Sequence, residues 1–158
     1  PFDFEIFVNP TPQISDFSIA ICSEELFEIT PQNGGEIGDI VPVGTTYTWN
    51  TPVSTPLGAI TGAVSANNEL NISGTLTNIT NSPAFVTYIV TAVTPEGCDD
   101  EFEIIVEVNP NGQINQVENQ IVCNESPVLV TFSTDNTGQL HKHHLDDMQA
   151  SSDAITAQ

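Results

Sequence analysis

Hydrophobic and polar residues alternate along most of the chain, and this period of two predicts β-strands. In the clearest example, every second residue from Phe102 to Val108 is apolar, with glutamates at two of the positions between them. A second run, residues 85–93, is β-branched and aromatic on both faces, which is typical of a central strand. No helical periodicity appears before residue 139. The pattern therefore predicts an all-β fold.

Further strands are predicted between these two and the start of the chain. Residues 70–76 alternate in the same way, and weaker strand patterns cover residues 17–22, 27–30 and 45–49. Clusters of glycine, proline and asparagine separate them, as at residues 31–35. Short strands joined by such turns are typical of antiparallel β-sandwiches.

The chain also contains an internal repeat. Residues 2–10 match residues 102–110 at an offset of 100, and residues 21–24 match residues 122–125 at an offset of 101. A period of this length is too long for a solenoid repeat and is about that of one immunoglobulin-like sandwich domain. We therefore predict a fragment of a tandem array of immunoglobulin-like domains.

The repeat sets the predicted domain boundaries. Residues 1–10 are interpreted as the last strand of a preceding repeat, residues 11–110 as one complete module, and residues 111–138 as the opening strands of the next repeat. Residues 139–158 are unlike the rest, because they hold the only lysine and all three histidines. This tail is interpreted as vector-derived or as an unrelated, disordered segment that does not belong to the fold.

The charge of the chain excludes several classes of partner. Its 21 aspartates and glutamates face a single lysine among 158 residues, which gives a formal net charge of −20. Such a chain repels nucleic acids and anionic lipid head groups. No stretch approaches the roughly 20 apolar residues that a transmembrane helix needs. We therefore predict no nucleic-acid partner and no direct insertion into a membrane.

Two of the three cysteines lie in the complete module. A disulfide between Cys22 and Cys98 would close a long loop and would add about 4 kcal/mol of stability in an oxidising compartment. The alternative is a pair of buried free thiols. Cys123 is the counterpart of Cys22 in the next repeat. A catalytic cysteine is not predicted, because the module contains no histidine to act as its base.

Carboxylates are the only candidate metal ligands in the module. An acidic run precedes the last strand, and a further aspartate lies near the start of the module. The weak calcium candidates are Asp16, Asp99, Asp100 and Glu101. Their spacing matches no EF-hand loop, so an acidic surface is the alternative interpretation. No other cofactor is predicted, and the absence of a paired nucleophile and base predicts that the chain is not an enzyme.

Trp49 and Tyr88 are predicted to be core residues, because each lies in a strand-like pattern. The alternative for Trp49, the only tryptophan, is an exposed ring that stacks on carbohydrate. Three Asn-X-Ser/Thr triplets begin at Asn71, Asn78 and Asn124. Triplets of this kind arise by chance in a chain rich in these residues, so glycosylation is not predicted from them.

Several motifs resemble a known family in order and spacing. Cys22 is followed by VPVGTTYTW at residues 41–49, ISGTLTN at 72–78 and VTYIVT at 86–91, and then by the strand that ends at residue 110. This succession resembles the PKD-like repeats of large surface adhesins in Bacteroidota, including the gliding-motility adhesins of flavobacteria. The resemblance covers residues 1–138. It implies an immunoglobulin-like sandwich, repeated in a giant protein that the type IX system secretes to the cell surface.

The leading functional hypothesis is therefore a non-catalytic stalk or spacer of an extracellular, cell-surface adhesin that supports adhesion or gliding. Its immediate partners would be the adjacent repeats of the same chain, and surface polysaccharides or other cell-surface proteins would be contacted beyond them. The alternatives are a carbohydrate- or calcium-dependent binding module and an accessory domain of an exported hydrolase.

Overall fold

The fold follows the alternating pattern of the sequence. A computed structural model describes residues 2–35, 38–124 and 126–137. Within these ranges the chain forms strands, turns and loops but no helix, so the prediction of an all-β fold is confirmed. The predicted tail at residues 139–158 lies outside the described residues. No helix that could cross a membrane occurs in the part of the chain that the structure describes.

Ten strands make up the domain in the described ranges. In chain order they are β1 (Phe17–Cys22), β2 (Leu26–Ile29), β3 (Thr46–Trp49), β4 (Val53–Thr55), β5 (Ile60–Thr61), β6 (Ala66–Glu69), β7 (Ile72–Thr75), β8 (Thr77–Asn78), β9 (Ala84–Val93) and β10 (Asp99–Asn109). The two longest, β9 and β10, form a hairpin at the centre of the main sheet.

The strands form two packed layers, as an immunoglobulin-like sandwich requires. The main sheet has the order β1-β10-β9-β3-β6, and β4 also pairs with β9. The pairs β2-β7 and β5-β8 form the opposite layer. All pairs are antiparallel except β1 and β10, which run parallel from Phe17 opposite Ile104 to Cys22 opposite Asn109.

Strands β3 and β4 follow one another along the same side of β9. Trp49 lies opposite Val90, whereas Val53 lies opposite Thr87. The β3–β4 side therefore has one more residue than β9 over this interval, which is the definition of a bulge. Pro52 contributes no backbone N–H, so it suits a position where the ladder is interrupted. The bulge opens a gap between the two strands on the surface of the sheet.

The core lies between the layers and is built on alternate residues of the long strands. Val86, Val90 and Ile104 are fully buried. Tyr88 joins the layers, because its ring meets the ring of Phe27 edge-on at a centroid distance of 5.6 Å. Aromatic pairs in this geometry contribute about 0.5–1.5 kcal/mol beyond their buried area. The apolar face of the central hairpin thus determines where the second layer packs.

One predicted strand is shorter in the structure than in the sequence pattern. Residues 70–76 alternate, but β7 begins only at Ile72, and the side chain of Leu70 is 73% exposed. Asn68, in the preceding strand, has a φ of 58°. This left-handed conformation, close to the β6–β7 connection, accompanies the turn that carries Leu70 out of the core face.

The segments that flank the domain form no strand within the described residues. This holds for residues 2–12 and for residues 110–124 and 126–137. Phe2, Phe4 and Val8 keep their alternation but are exposed. A strand needs a neighbouring strand to complete its hydrogen bonds, and neither segment has one. The boundaries of the neighbouring repeats therefore stay predictions.

The chain has two tyrosines, Tyr47 and Tyr88, and both are buried. Burial raises the pKa of each phenol from 10.0 to about 12. The folded state therefore favours the neutral phenol. The stability that follows from each raised tyrosine pKa is complete below pH 10 and is lost as the pH rises towards 12. We expect phenolate absorbance to rise only together with loss of the folded circular-dichroism signal. A tyrosine that ionises near pH 10 in the folded protein would contradict this burial.

Candidate functional site on the outer face of the main sheet

The outer face of the main sheet carries a row of acidic side chains. Along β10, Asp99, Glu101, Glu103 and Glu107 alternate with residues that point towards the core. Residues 1–138 contain no lysine, arginine or histidine, so no basic side chain of the domain can neutralise this acidic row. The face therefore repels anions and other copies of the same surface.

A cleft lies beside the acidic row, where the bulge separates β3 from β4. Its volume is about 240 Å³. Its lining contains one tryptophan, one carboxylate and otherwise hydroxyl, amide and aliphatic side chains: Thr48, Trp49, Asn50, Thr51, Pro52, Val53, Thr87, Ile89, Thr91 and Glu101. The threonines come from facing strands, since Thr48 lies opposite Thr91 and Val53 lies opposite Thr87.

The chemistry available in this cleft is limited to hydrogen bonding and weak apolar contact. Glu101 is the only ionisable residue in the lining. Glycoside hydrolysis by the usual mechanism needs two carboxyl groups on opposite sides of the bond. Activation of a serine or threonine needs an adjacent base with a group that orients it. The lining provides neither arrangement.

Trp49 is among the residues that line the cleft, and it belongs to the core, as predicted from its strand pattern. It is only 5% exposed, and its ring meets the ring of Tyr88 edge-on at a centroid distance of 6.2 Å. Its indole Nε1–H donates a hydrogen bond to the carbonyl oxygen of Val64 at 3.0 Å. A ring covered in this way offers no free face on which a sugar could stack.

Two of the calcium candidates accept hydrogen bonds from the backbone. Asp16 Oδ1 accepts from the N–H of Glu103 at 2.7 Å, and Asp100 Oδ2 accepts from the N–H of Ile14 at 3.1 Å. A third carboxylate, Asp39, which lies in no recognisable sequence motif, accepts hydrogen bonds from the N–H and hydroxyl of Ser15. These carboxylates attach the segment before β1 to the rest of the domain.

The remaining candidates do not complete a metal site. Asp99 and Glu101 lie on the outer face of β10, whereas Asp100, between them, points to the opposite face because side chains alternate along a strand. Among the described residues, no group of three or more acidic, histidine or cysteine side chains is placed to hold a metal ion. Calcium needs six to eight converging oxygens.

We expect calcium to have no specific effect on the stability of the protein. Addition of EDTA should leave the melting temperature unchanged, because the candidate carboxylates do not converge. Calcium, magnesium and sodium salts at equal ionic strength should raise it to a similar extent, by screening the repulsion among the carboxylates. Thermal melting in matched buffers is the measurement. A rise specific to calcium would contradict this expectation.

The structure does not support the predicted disulfide between Cys22 and Cys98, since all three cysteines are free. Cys22 ends β1 opposite Asn109, the last residue of β10, whereas Cys98 directly precedes the first residue of β10. At about 3.3 Å per residue, the length of β10 places the two cysteines roughly 30 Å apart. A disulfide requires Cα atoms within about 7 Å of each other.

A buried asparagine organises the end of the sandwich at which the chain leaves β10. Asn78 Nδ2 donates to the carbonyl oxygens of Ser82 at 2.9 Å and of Val108 at 2.7 Å. Its Oδ1 accepts from the N–H and hydroxyl of Thr80, both at 2.8 Å. The triplet that begins at Asn78 therefore forms a turn, and the side-chain nitrogen of Asn78 already donates hydrogen bonds within the protein.

One comparison with known protein families agrees with this sandwich. A model of the PKD-like domain matches residues 19–112, more than half of the chain. The chain belongs to the PKD-like domain family. No curated protein matches it. A solved 2,6-sialyltransferase from Vibrionaceae Photobacterium sp. JT-ISH-224, in complex with CMP and lactose, is similar over 61% of this chain and 18% of its own, with 12% identity and a TM-score of 0.39. A similarity this low supports no functional argument.

The PKD-like domain has its two chain ends at opposite poles. The chain joins the domain at Ile14, whose backbone N–H is bound by Asp100 near the start of β10. It leaves the domain after Asn109, at the other end of the same strand. Nine residues of extended strand separate these points, which corresponds to roughly 30 Å. PKD-like domains connected in this way would extend end to end.

Proposed function

We propose that this PKD-like domain is a non-catalytic spacer in the stalk of an extracellular cell-surface adhesin. The observation that carries the proposal is the placement of the two chain ends at opposite poles of the sandwich. Each repeat would then lengthen the stalk by about the length of β10, roughly 30 Å. The internal repeat, in which residues 2–10 match residues 102–110, supports an array of such modules.

The surface of the domain supports the same role. The acidic row on β10 and the net charge of −20 disfavour sticking between modules and between neighbouring stalks. The adjacent repeats of the same chain would be the immediate partners, through segments such as residues 111–137. The sequence motifs further suggest a Bacteroidota adhesin that the type IX system exports, with surface polysaccharides or other surface proteins as its distant targets.

Deletion of this module from the parent protein, in frame, tests the proposal. A spacer contributes length, so the shortened protein should still reach the cell surface and bind its target, and the reach of the stalk should fall by roughly 30 Å. Antibodies against this chain should label intact cells. Loss of target binding with unchanged surface display would contradict the spacer and would favour a ligand-binding module.

A further inference from the structure

The chain contains two Asn-Gly pairs, at Asn33-Gly34 and at Asn111-Gly112. Asn-Gly is the dipeptide most open to attack of the backbone on the asparagine side chain, because glycine has no side chain to hinder its own nitrogen. The sequence alone treats the two pairs alike. The structure does not, because it places them in different hydrogen-bond environments.

The first pair is held in a turn that blocks this reaction. The Gly34 N–H, whose nitrogen would have to attack, donates a hydrogen bond to the carbonyl oxygen of Asp39 at 2.7 Å. The Asn33 side chain, which would be attacked, accepts a hydrogen bond from the N–H of Val41 at 3.1 Å. Both reacting groups are therefore held by other partners.

The second pair lies two residues beyond the end of β10, in an exposed segment. Among the described residues, no acceptor binds the Gly112 N–H. The Asn111 side chain has one long contact, from its Nδ2 to Glu24 Oε2 at 3.3 Å. The side chain of Asn136 donates to the backbone oxygen of Asn111, a hydrogen bond that involves neither the Gly112 nitrogen nor the Asn111 side chain.

We propose that Asn111 is a site of spontaneous deamidation, a covalent modification at the point where the chain leaves the domain. Hydroxide takes the proton of the Gly112 N–H and becomes water, and the nitrogen bonds to Cγ of Asn111. Water then returns a proton to Nδ2, and the Cγ–Nδ2 bond breaks with release of ammonia and hydroxide. Water then opens the resulting succinimide at either carbonyl, which gives aspartate or isoaspartate. In the net reaction one amide and one water become one carboxylic acid and one ammonia.

The modification changes the contact between this segment and the domain. The amide that donates to Glu24 becomes a carboxylate, so two negative charges face each other where a hydrogen bond existed. Isoaspartate also adds one atom to the backbone just after β10. At the equivalent positions after the preceding repeat, Thr11 has no side-chain amide to be attacked, and Pro12 has no backbone N–H to attack it. The proposed chemistry is therefore specific to one of the two repeat junctions.

Incubation of the full chain at mildly alkaline pH, followed by digestion after glutamate, tests the proposal without assuming any function. The digestion separates the two sites, since Asn111 falls in the peptide 108–118 and Asn33 in the peptide 29–36. Mass spectrometry and isoaspartate detection then follow both sites in one sample. We expect Asn111 to react at least about tenfold faster than Asn33 in the folded protein, because Asn33 must first give up two hydrogen bonds.

Denaturant provides the control, because unfolding removes the difference in hydrogen bonding and should bring the two rates within about threefold. The double variant N111T/G112P copies the Thr11-Pro12 sequence of the preceding junction. It should abolish modification at position 111 of the peptide 108–118. Equal rates at Asn33 and Asn111 in the folded protein, or a faster reaction at Asn33, would overturn the proposal.

Discussion

Replacement of Asn78 by alanine should lower the free energy of unfolding by about 3 kcal/mol or more. Each hydrogen bond contributes about 1 kcal/mol, and a buried group left without a partner costs more than the average. The substitution removes the donor that binds the carbonyl oxygens of Ser82 and Val108 and the acceptor that binds the N–H of Thr80. The Ser82 oxygen keeps the Thr80 hydroxyl as a donor. Chemical denaturation followed by circular dichroism would measure the loss.

Asn71 provides a matched control for this substitution. Its Nδ2 also donates a hydrogen bond, to Glu28 Oε1 at 3.0 Å, but this contact is exposed. The change Asn71→Ala should therefore alter stability by no more than about 0.5 kcal/mol. If Asn78→Ala were no more harmful than Asn71→Ala, the role assigned to Asn78 would be wrong.

Replacement of Trp49 by alanine should cost about 3–5 kcal/mol, the range for removal of a large buried aromatic side chain. The substitution leaves a cavity beside Tyr88 and removes the donor that binds the carbonyl oxygen of Val64. Trp49→Phe should cost less, because a phenyl ring still fills part of the space that the indole and its N–H leave. Denaturation midpoints of the two variants would separate packing from hydrogen bonding.

Val53 also lines the cleft beside the acidic row, and it is the control for a direct role of that cleft in ligand binding. Its side chain is exposed, so Val53→Ala should leave stability nearly unchanged. If Trp49→Ala left the fold intact and weakened binding to a glycan array, Trp49 would be a carbohydrate platform after all. The structure leads us to expect the opposite, with loss of stability and no glycan-specific effect.

The strands that bury one face were predictable from the sequence. The pattern at residues 17–22 coincides with β1, and that at residues 85–93 lies within β9. Residues 85–93 are identified by their β-branched and aromatic content rather than by alternation, although only one face of β9 enters the core. The short strands β4, β5, β6 and β8 were not predicted, since two to four residues with few buried positions leave no measurable period.

Pairing between distant residues could not be derived from local patterns. The sequence suggests a disulfide because Cys22 and Cys98 lie in the same module, but it contains no information on the direction of β1. The structure places β1 parallel to β10, which puts Cys22 at the far end of that strand from Cys98. Sequence separation alone does not show which end of a strand a residue meets.

The sequence predicts which residues belong to the candidate site but not how they are arranged in space. The sequence identified the carboxylates near β10, and it left open whether they bind calcium or form a surface. In the structure, Asp16 and Asp100 bind backbone N–H groups and help to attach the start of the chain to the sheet. The sequence shows Asn78 only as part of a glycosylation triplet, because the burial of one asparagine has no signal in the neighbouring residues.

The parallel pairing of β1 with β10 determines how the domain would respond to tension. A pull on the two chain ends draws β1 towards one pole and β10 towards the other. The hydrogen bonds between them, from Phe17 opposite Ile104 to Cys22 opposite Asn109, then resist sliding together rather than opening one after another. A stalk built from such modules would bear load in shear along the β1–β10 ladder of each module.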